Sequence, residues 1–238
     1  MDIQIQVLAS SSSGNCYAVT DGTTPLLLEC GIRFRDIQQG LGHRVTSMAG
    51  CLVSHEHGDH AKAAAEIMRA GVDVYASQGT IGALGLTSHR LRPVRAHQKF
   101  QLGTWTVLPF DIVHDAAEPL GFLLVSAAGR VLYLTDTAYC PYRFNGLTHL
   151  LIEANFSMDI IRENVASGAI PLSHKNRVIR SHMSIERVLD MLRANDLSRV
   201  REIWLLHMSA QSGDEAAFRR RVQEATGKPT FVAQEGLR

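Results

Sequence analysis

Residues 3 to 9 read IQIQVLA, and the alternation of apolar and polar positions predicts a half-buried strand. A Ser/Gly/Asn turn separates it from a second strand, CYAVT, and DGTT precedes a third, PLLLEC. CLVS at residues 51 to 54 is a continuous apolar run, the pattern of a strand buried on both faces. Strand patterns return at VDVYAS, FQLGTWTVLPF, GFLLVSAAGRVLYLTD and THLLIEA, with AAG as a hairpin turn, and again at REIWLLHMS and PTFVA. Helical patterns stand between them. DHAKAAAEIMRAG, from Asp59, is closed by Gly71, and GDEAAFRRRVQEA sets Arg219 to Arg221 on a helix whose other face carries Phe218 and Val222. In SIERVLDMLRAN, Ile185, Val188, Leu189 and Leu192 recur at i, i+3, i+4 and i+7 behind Ser184 as N-cap.

Two strand-rich halves with helices outside predict a sheet-on-sheet core clothed by helices. With 238 residues and no long linker or repeat, residues 1–238 are expected to form a single domain. A net charge of +1 excludes a global basic field and leaves only local patches to attract polyanions. Cys16, Cys30, Cys51 and Cys140 form no CxxC pair and sit in apolar contexts, which suits packing in a reducing compartment. The first residues lack the cationic start and apolar run of a signal peptide, and no stretch is long enough to span a bilayer. The expected location is cytoplasmic, without a membrane partner.

The strand end at residues 55 to 60 changes the picture, because HEHGDH packs three histidines and two carboxylates into six residues. His55 and His57 lie two apart, so their side chains face the same way and can grip one ion. Asp59 and His60 fall in the turn that opens the next helix and address a neighbouring position. One such cluster cannot fill two metal sites, and other strand ends offer more ligands: His114 in FDIVHD, Asp136 in TDT and His207 after IWLL. Imidazole and carboxylate suit zinc, and also manganese or iron. His43, His89, His97 and His149 lack ligand spacing and are read as structural or exposed.

These residues, in this order, resemble the metallo-β-lactamase fold superfamily over nearly the whole chain. The resemblance implies an α+β fold, a four-layer αββα sandwich with the site at one edge. It implies two divalent metal ions, zinc first: His55, His57 and His114 on one, Asp59, His60 and His207 on the other, with Asp136 bridging. The bridging position looks like Asp136 and not a cysteine, and Cys140 is better read as packing, so antibiotic hydrolysis does not fit. SHMS, with His182, stands 25 residues before His207 in LLHMS, and the pair resembles the GHxS … HxS pair of tRNase Z and related nucleases. There the earlier histidine is not a ligand; it faces the scissile phosphate and protonates the leaving oxygen.

VLASSSSGNCYAV, VHDAAEPLGF and the stretch from LLIEANF to RSHMS are similar to the small bacterial WalJ-type, exonuclease-like members. Departures are Ile185 where asparagine is usual, the segment HMSAQSGD without asparagines, and Glu29 where aspartate is common. The implied function is dinuclear metal-dependent phosphodiester hydrolysis, as a nuclease. A metal-bridged hydroxide attacks phosphorus, Asp59 orients it or takes its proton, and His182 acts as general acid. A thioester or lactone hydrolase of the glyoxalase II type is the alternative, since it could use the same seven ligands.

Glu56 and Glu153 are candidates to fix histidine tautomers. Lys175, Arg177 and Arg180 precede His182 and could track a phosphate backbone, although a solvated loop would carry the same charges. Ser13 and Asn15 lie in a Ser/Gly turn able to offer backbone N–H groups to a phosphate, or to be a plain β-turn. Arg219 to Arg221 read as helix surface. The expected partner is a nucleic acid or nucleotide phosphodiester, and a homodimer stays open.

Overall fold

The computed structural model describes residues 2–237, which fall into two compact units. One comprises the chain up to Asp111, Ala116–Gly129 and the residues from Ala233 on; the other comprises Ile112–Asp115 and Arg130–Val232. Among the described residues, no helix is long and apolar enough to cross a membrane.

In the first unit, β1 (Gln4–Ser11), β2 (Gly14–Thr20), β3 (Pro25–Leu28), β4 (Cys51–Leu52), β5 (Val74–Ser77) and β6 (Leu91–Val94) form a sheet in chain order. β1, β2 and β3 pair antiparallel, and β3 to β6 run parallel. The parallel pairings require crossovers, and these carry α1 (Phe34–Gly40), α2 (Gly58–Ala61), α3 (Ala64–Arg69) and α4 (Gln78–Leu84). β7 (Phe100–Leu102), β8 (Trp105–Asp111) and β9 (Leu120–Ser126) pair antiparallel. Trp105 is fully buried, and its indole N–H donates to the Thr24 carbonyl at 2.9 Å, so its one polar atom is satisfied.

The helix expected from Asp59 to Gly71 is two short helices. The amide of Ala63 donates to the carbonyl of Cys30 at 2.9 Å, and that outside partner breaks the helix between α2 and α3. Cys16, Cys30 and Cys51 are buried free thiols in one apolar cluster with Leu27, Ile37, Val53 and Ile67, the packing role their contexts predict.

In the second unit, β10 (Gly129–Leu134), β11 (His149–Glu153), β12 (Glu202–Leu206) and β13 (Thr230–Val232) are parallel neighbours in that order. Their interiors are continuous apolar runs, as strands covered on both faces must be. The connections carry α5 (Met158–Ala166), α6 (Leu172–Ser181), α7 (Ile185–Arg193) and α8 (Glu215–Thr226). α7 buries Ile185, Val188, Leu189 and Leu192, the face read from sequence, and Ser184 caps it by accepting from the Arg187 amide. α6 replaces what the charge run left open as a loop. Val178 packs with Phe156, Ile161 and Ile170, and that buried patch holds an otherwise polar helix in place.

Candidate metal centre

In each unit, residues singled out in the sequence cluster at the C-terminal ends of parallel strands, where loops leave the sheet. In the first unit His55 follows β4, fully buried, with Ser54 Oγ 2.9 Å from its Nδ1. Its Nε2 lies 3.0 Å from Nδ1 of His57, and its ring centroid is 4.1 Å from that of His60. Two imidazole nitrogens at that separation share either one proton or one cation. His57 is the N-cap of α2, and Asp59 and His60 lie within that helix, with Asp59 Oδ2 3.4 Å from His60 Nε2.

Two neighbours hold this loop. Asn15 is fully buried; its Nδ2 donates to the carbonyls of Ser11 and Asp59 at 3.0 and 3.3 Å and lies 3.3 Å from His60 Nε2. Its side chain therefore positions the loop and does not reach solvent. The turn before it is a tight hairpin, Ser11 pairing with Gly14, in which the Ser13 amide donates to Ser11 Oγ. Glu29 just past β3 is the second neighbour. It is fully buried, accepts from the Ser54 amide at 3.2 and 3.3 Å, and lies 3.7 Å from His60 Nδ1. Its φ of 63° is left-handed, costly for a side chain with a Cβ, so local packing holds it there.

In the second unit, Asp136 follows β10, Glu153 ends β11 and His207 follows β12. Asp136 and His207 also have positive φ, 43° and 50°. Strain at two of these three strand ends is the kind that functional sites retain. The segment with His114 is pinned beside Asp136: Val113 donates to Thr137 Oγ1 at 3.0 Å and accepts from the Ala138 amide at 2.8 Å.

Glu153 is the hub of this unit. Fully buried, it accepts through Oε2 from the amides of Thr137 and Met183 at 3.1 and 3.0 Å. Its Oε1 lies 2.6 Å from His182 Nδ1 and 3.1 Å from His207 Nδ1. Burial pushes its carboxyl upward, but the two histidines hold the group below the ordinary glutamate range, ionised. An ionised carboxylate only accepts, so Nδ1 of both histidines carries the proton. For His182, burial depresses the imidazole, yet Glu153 and then Asp136 lift it above its ordinary value.

His114 shows why a cation belongs here. Its Nδ1 donates to the Ser181 carbonyl at 2.8 Å, so Nε2 is an acceptor, and it faces Asp136 Oδ2 at 3.5 Å. Burial, offset in part by Asp136, lowers this imidazole below its ordinary value and keeps it neutral. Two acceptors facing one another in a buried place fit a shared positive ion. Ligand-type atoms of Asp136, Glu153, His182 and His207 all lie within 4.8 Å of one another; Glu153 is engaged by both imidazoles, so Asp136 and His207 are the nitrogen–oxygen pair here that suits a divalent metal.

Of the two candidates for fixing tautomers, Glu153 does so, whereas Glu56 Oε1 accepts from the Ala117 amide at 2.8 Å and ties a loop. Arg177 and Arg180 share a face of α6, while Lys175, two residues from Arg177, is on the opposite side. Sequence reasoning missed Asn15 and Glu29 as positioning groups. The signal was there for Glu29, a carboxylate closing the apolar run PLLL.

Residues 24–208 match the family model of the Beta-lactamase superfamily domain. The chain is 25% identical over 255 residues to exodeoxyribonuclease YycJ of Bacillus anthracis, covering 100% of this chain and 94% of that one. It is 28% identical over 224 residues to exodeoxyribonuclease WalJ of Streptococcus pneumoniae, 87% of this chain and 81% of the relative. The crystal structure of the metallo-β-lactamase fold protein YhfI from Bacillus subtilis superposes with a TM-score of 0.76 at 15% identity, over 100% of this chain and 98% of that one. The family match, this whole-chain likeness of fold and the histidine–carboxylate clusters agree with one another. The chain belongs to the β-lactamase superfamily and is a metal-dependent hydrolase with the metallo-β-lactamase fold.

Proposed function

We propose that this hydrolase cuts phosphodiester bonds in nucleic acid, as an exonuclease-like enzyme of the cytoplasm working as a single domain with two metal ions. The observation that carries the reading is His182, partly buried with its Nδ1 on Glu153 Oε1 at 2.6 Å, an orientation that would turn its Nε2 toward a substrate. A site that only bound metal would not need a further, non-ligating imidazole oriented by a buried carboxylate next to the ligands. The relatives named exodeoxyribonuclease support the same chemistry.

His55, His57 and His114 would hold one ion and Asp59, His60 and His207 the other, with Asp136 shared. The donor set fits zinc, and manganese or iron next. Such ions supply positive charge for the phosphate oxygens and make water acidic enough to attack near neutrality. Asp59 orients that water and accepts its proton, and His182 Nε2 delivers a proton to the departing oxygen. Glu153 keeps the imidazole oriented through the step. Asn15 and Glu29 hold the His55–His60 loop in shape, and Arg177 and Arg180 face the substrate strand.

Purified protein is supplied with zinc or manganese and offered bis(p-nitrophenyl) phosphate, single-stranded DNA and S-lactoylglutathione. Turnover of the two phosphodiesters is expected. Turnover of the thioester alone would replace this reading with the glyoxalase II type.

A further inference from the structure

One face of α6 carries more donors than the fold uses. Ser173, Asn176, Arg177 and Arg180 recur at i, i+3, i+4 and i+7 and line, with Ser181 and Asp115, a cavity of about 490 Å³. Among the described residues no carboxylate pairs with either guanidinium, and the side chains of Ser173 and Asn176 make no hydrogen bond. Several other arginines are paired with carboxylates: Arg33 with Asp36, Arg90 and Arg92 with Asp73, Arg193 with Asp190, Arg221 with Glu186. Two unpaired cations one turn apart repel each other, so the helix gains nothing from this arrangement on its own.

The cavity borders the reactive end of the unit. Ser181 lines it and gives its carbonyl to His114 Nδ1 at 2.8 Å, and His182 is the next residue. Asp115 on the same wall lies 3.4 Å from His114 Nδ1. Guanidinium forks suit phosphate oxygens, the serine hydroxyl and the amide suit phosphate or sugar oxygens, and the carboxylate suits a sugar or base donor. That is the polarity of a nucleotide chain and not of an acyl group.

We propose that this cavity is the subsite for the strand next to the bond being cut, with Arg177 and Arg180 each engaging a backbone phosphate. The inference rests on the nuclease reading and extends it to residues Ser173, Asn176 and Asp115. Lys175 takes no part, because it lies off this face.

Binding of a fluorescein-labelled, hydrolysis-resistant phosphorothioate single strand to metal-loaded protein is measured by anisotropy across a salt series. Each phosphate contact on a single strand contributes about 0.7 to the slope of log affinity against log salt. The double variant R177Q/R180Q should therefore bind more weakly, with a slope smaller by about 1.4. R219Q/R220Q removes the same charge from an exposed face of α8 and should keep the wild-type slope. An unchanged slope in R177Q/R180Q, or an equal fall in R219Q/R220Q, overturns the subsite. Cleavage of the unmodified strand by wild-type protein is followed in parallel. Its absence would count against the phosphodiesterase reading, while the slopes still decide the cavity.

Discussion

Nδ1 of His182 lies 2.6 Å from Oε1 of Glu153, an oxygen that also lies 3.1 Å from Nδ1 of His207. One buried carboxylate thus sets the tautomer of two histidines, to which the proposed reaction gives different jobs: one would offer Nε2 to the substrate, the other to a metal. The other oxygen of Glu153 is taken up by the amides of Thr137 and Met183, so it cannot swing away.

Glu153→Gln keeps the shape and removes the charge. Loss of such an outer partner of a metal site typically lowers activity or metal affinity about 10–100-fold. We expect kcat on single-stranded DNA to fall within that range and the zinc affinity of the His207 site to fall with it. Steady-state kinetics and competition against a zinc chelator read the two effects separately. A variant with wild-type values for both would remove Glu153 from the account.

Gly31 is a second point where backbone and site meet. Its amide donates to the Asn15 carbonyl at 2.9 Å, and a Cβ there would land on the carbonyl of Asp59. Neither backbone can give cheaply. Gly31→Ala should cost on the order of 3 kcal/mol and displace the loop that carries His57 to His60. The expected result is a lower melting temperature together with metal content below that of wild type. Gly58→Ala serves as the control, since a Cβ at Gly58 meets nothing within 4 Å. Equal behaviour of the two variants would mean that the close approach at Gly31 does not position the loop.

Glu186 ties three helices of the second unit. It sits in the first turn of α7 and accepts from Arg221 Nη1 on α8 at 3.0 Å and from the Met158 amide of α5 at 3.3 Å. Burial pushes its carboxyl up, but its own amide, Arg221, Ser184 and the Met158 amide together hold it below the ordinary glutamate value. A depressed folded-state pKa stabilises the fold above the unfolded pKa of about 4.3 and is lost as pH falls through the folded value. A third of the side chain faces solvent, so the contribution is about 1 kcal/mol. Glu186→Gln should therefore melt earlier than wild type at neutral pH, with the gap closing in acid. A gap that widened in acid would reverse the sign of this argument.

Much of the candidate centre was legible because its histidines and carboxylates, the side chains that could hold a metal, fall at the ends of apolar runs. His55 after CLV, Asp136 after VLYLT and His207 after IWLL each mark a strand that stops where chemistry starts. α7 could be read for a similar reason, since its buried stripe is dense. α6 could not, because a helix that buries little beyond Val178 has a weak period, and only the patch of Phe156, Ile161 and Ile170 makes it fold. The break at Ala63 escaped as well, since it depends on a carbonyl at Cys30, far away in sequence. The same holds for Asn15. From sequence it reads as part of a Ser/Gly turn, either a plain β-turn or one whose backbone N–H groups meet a phosphate, and neither reading anticipates that its buried side-chain amide turns inward onto Asp59 and His60.

The most direct measurement compares His182→Ala with wild type on two phosphodiesters that differ in leaving group. A nucleoside alkoxide needs a proton to depart, and p-nitrophenolate does not. The account predicts a loss of about 10²–10⁴-fold on single-stranded DNA and a much smaller loss on bis(p-nitrophenyl) phosphate. An undiminished rate on DNA, or equal losses on both substrates, would contradict it.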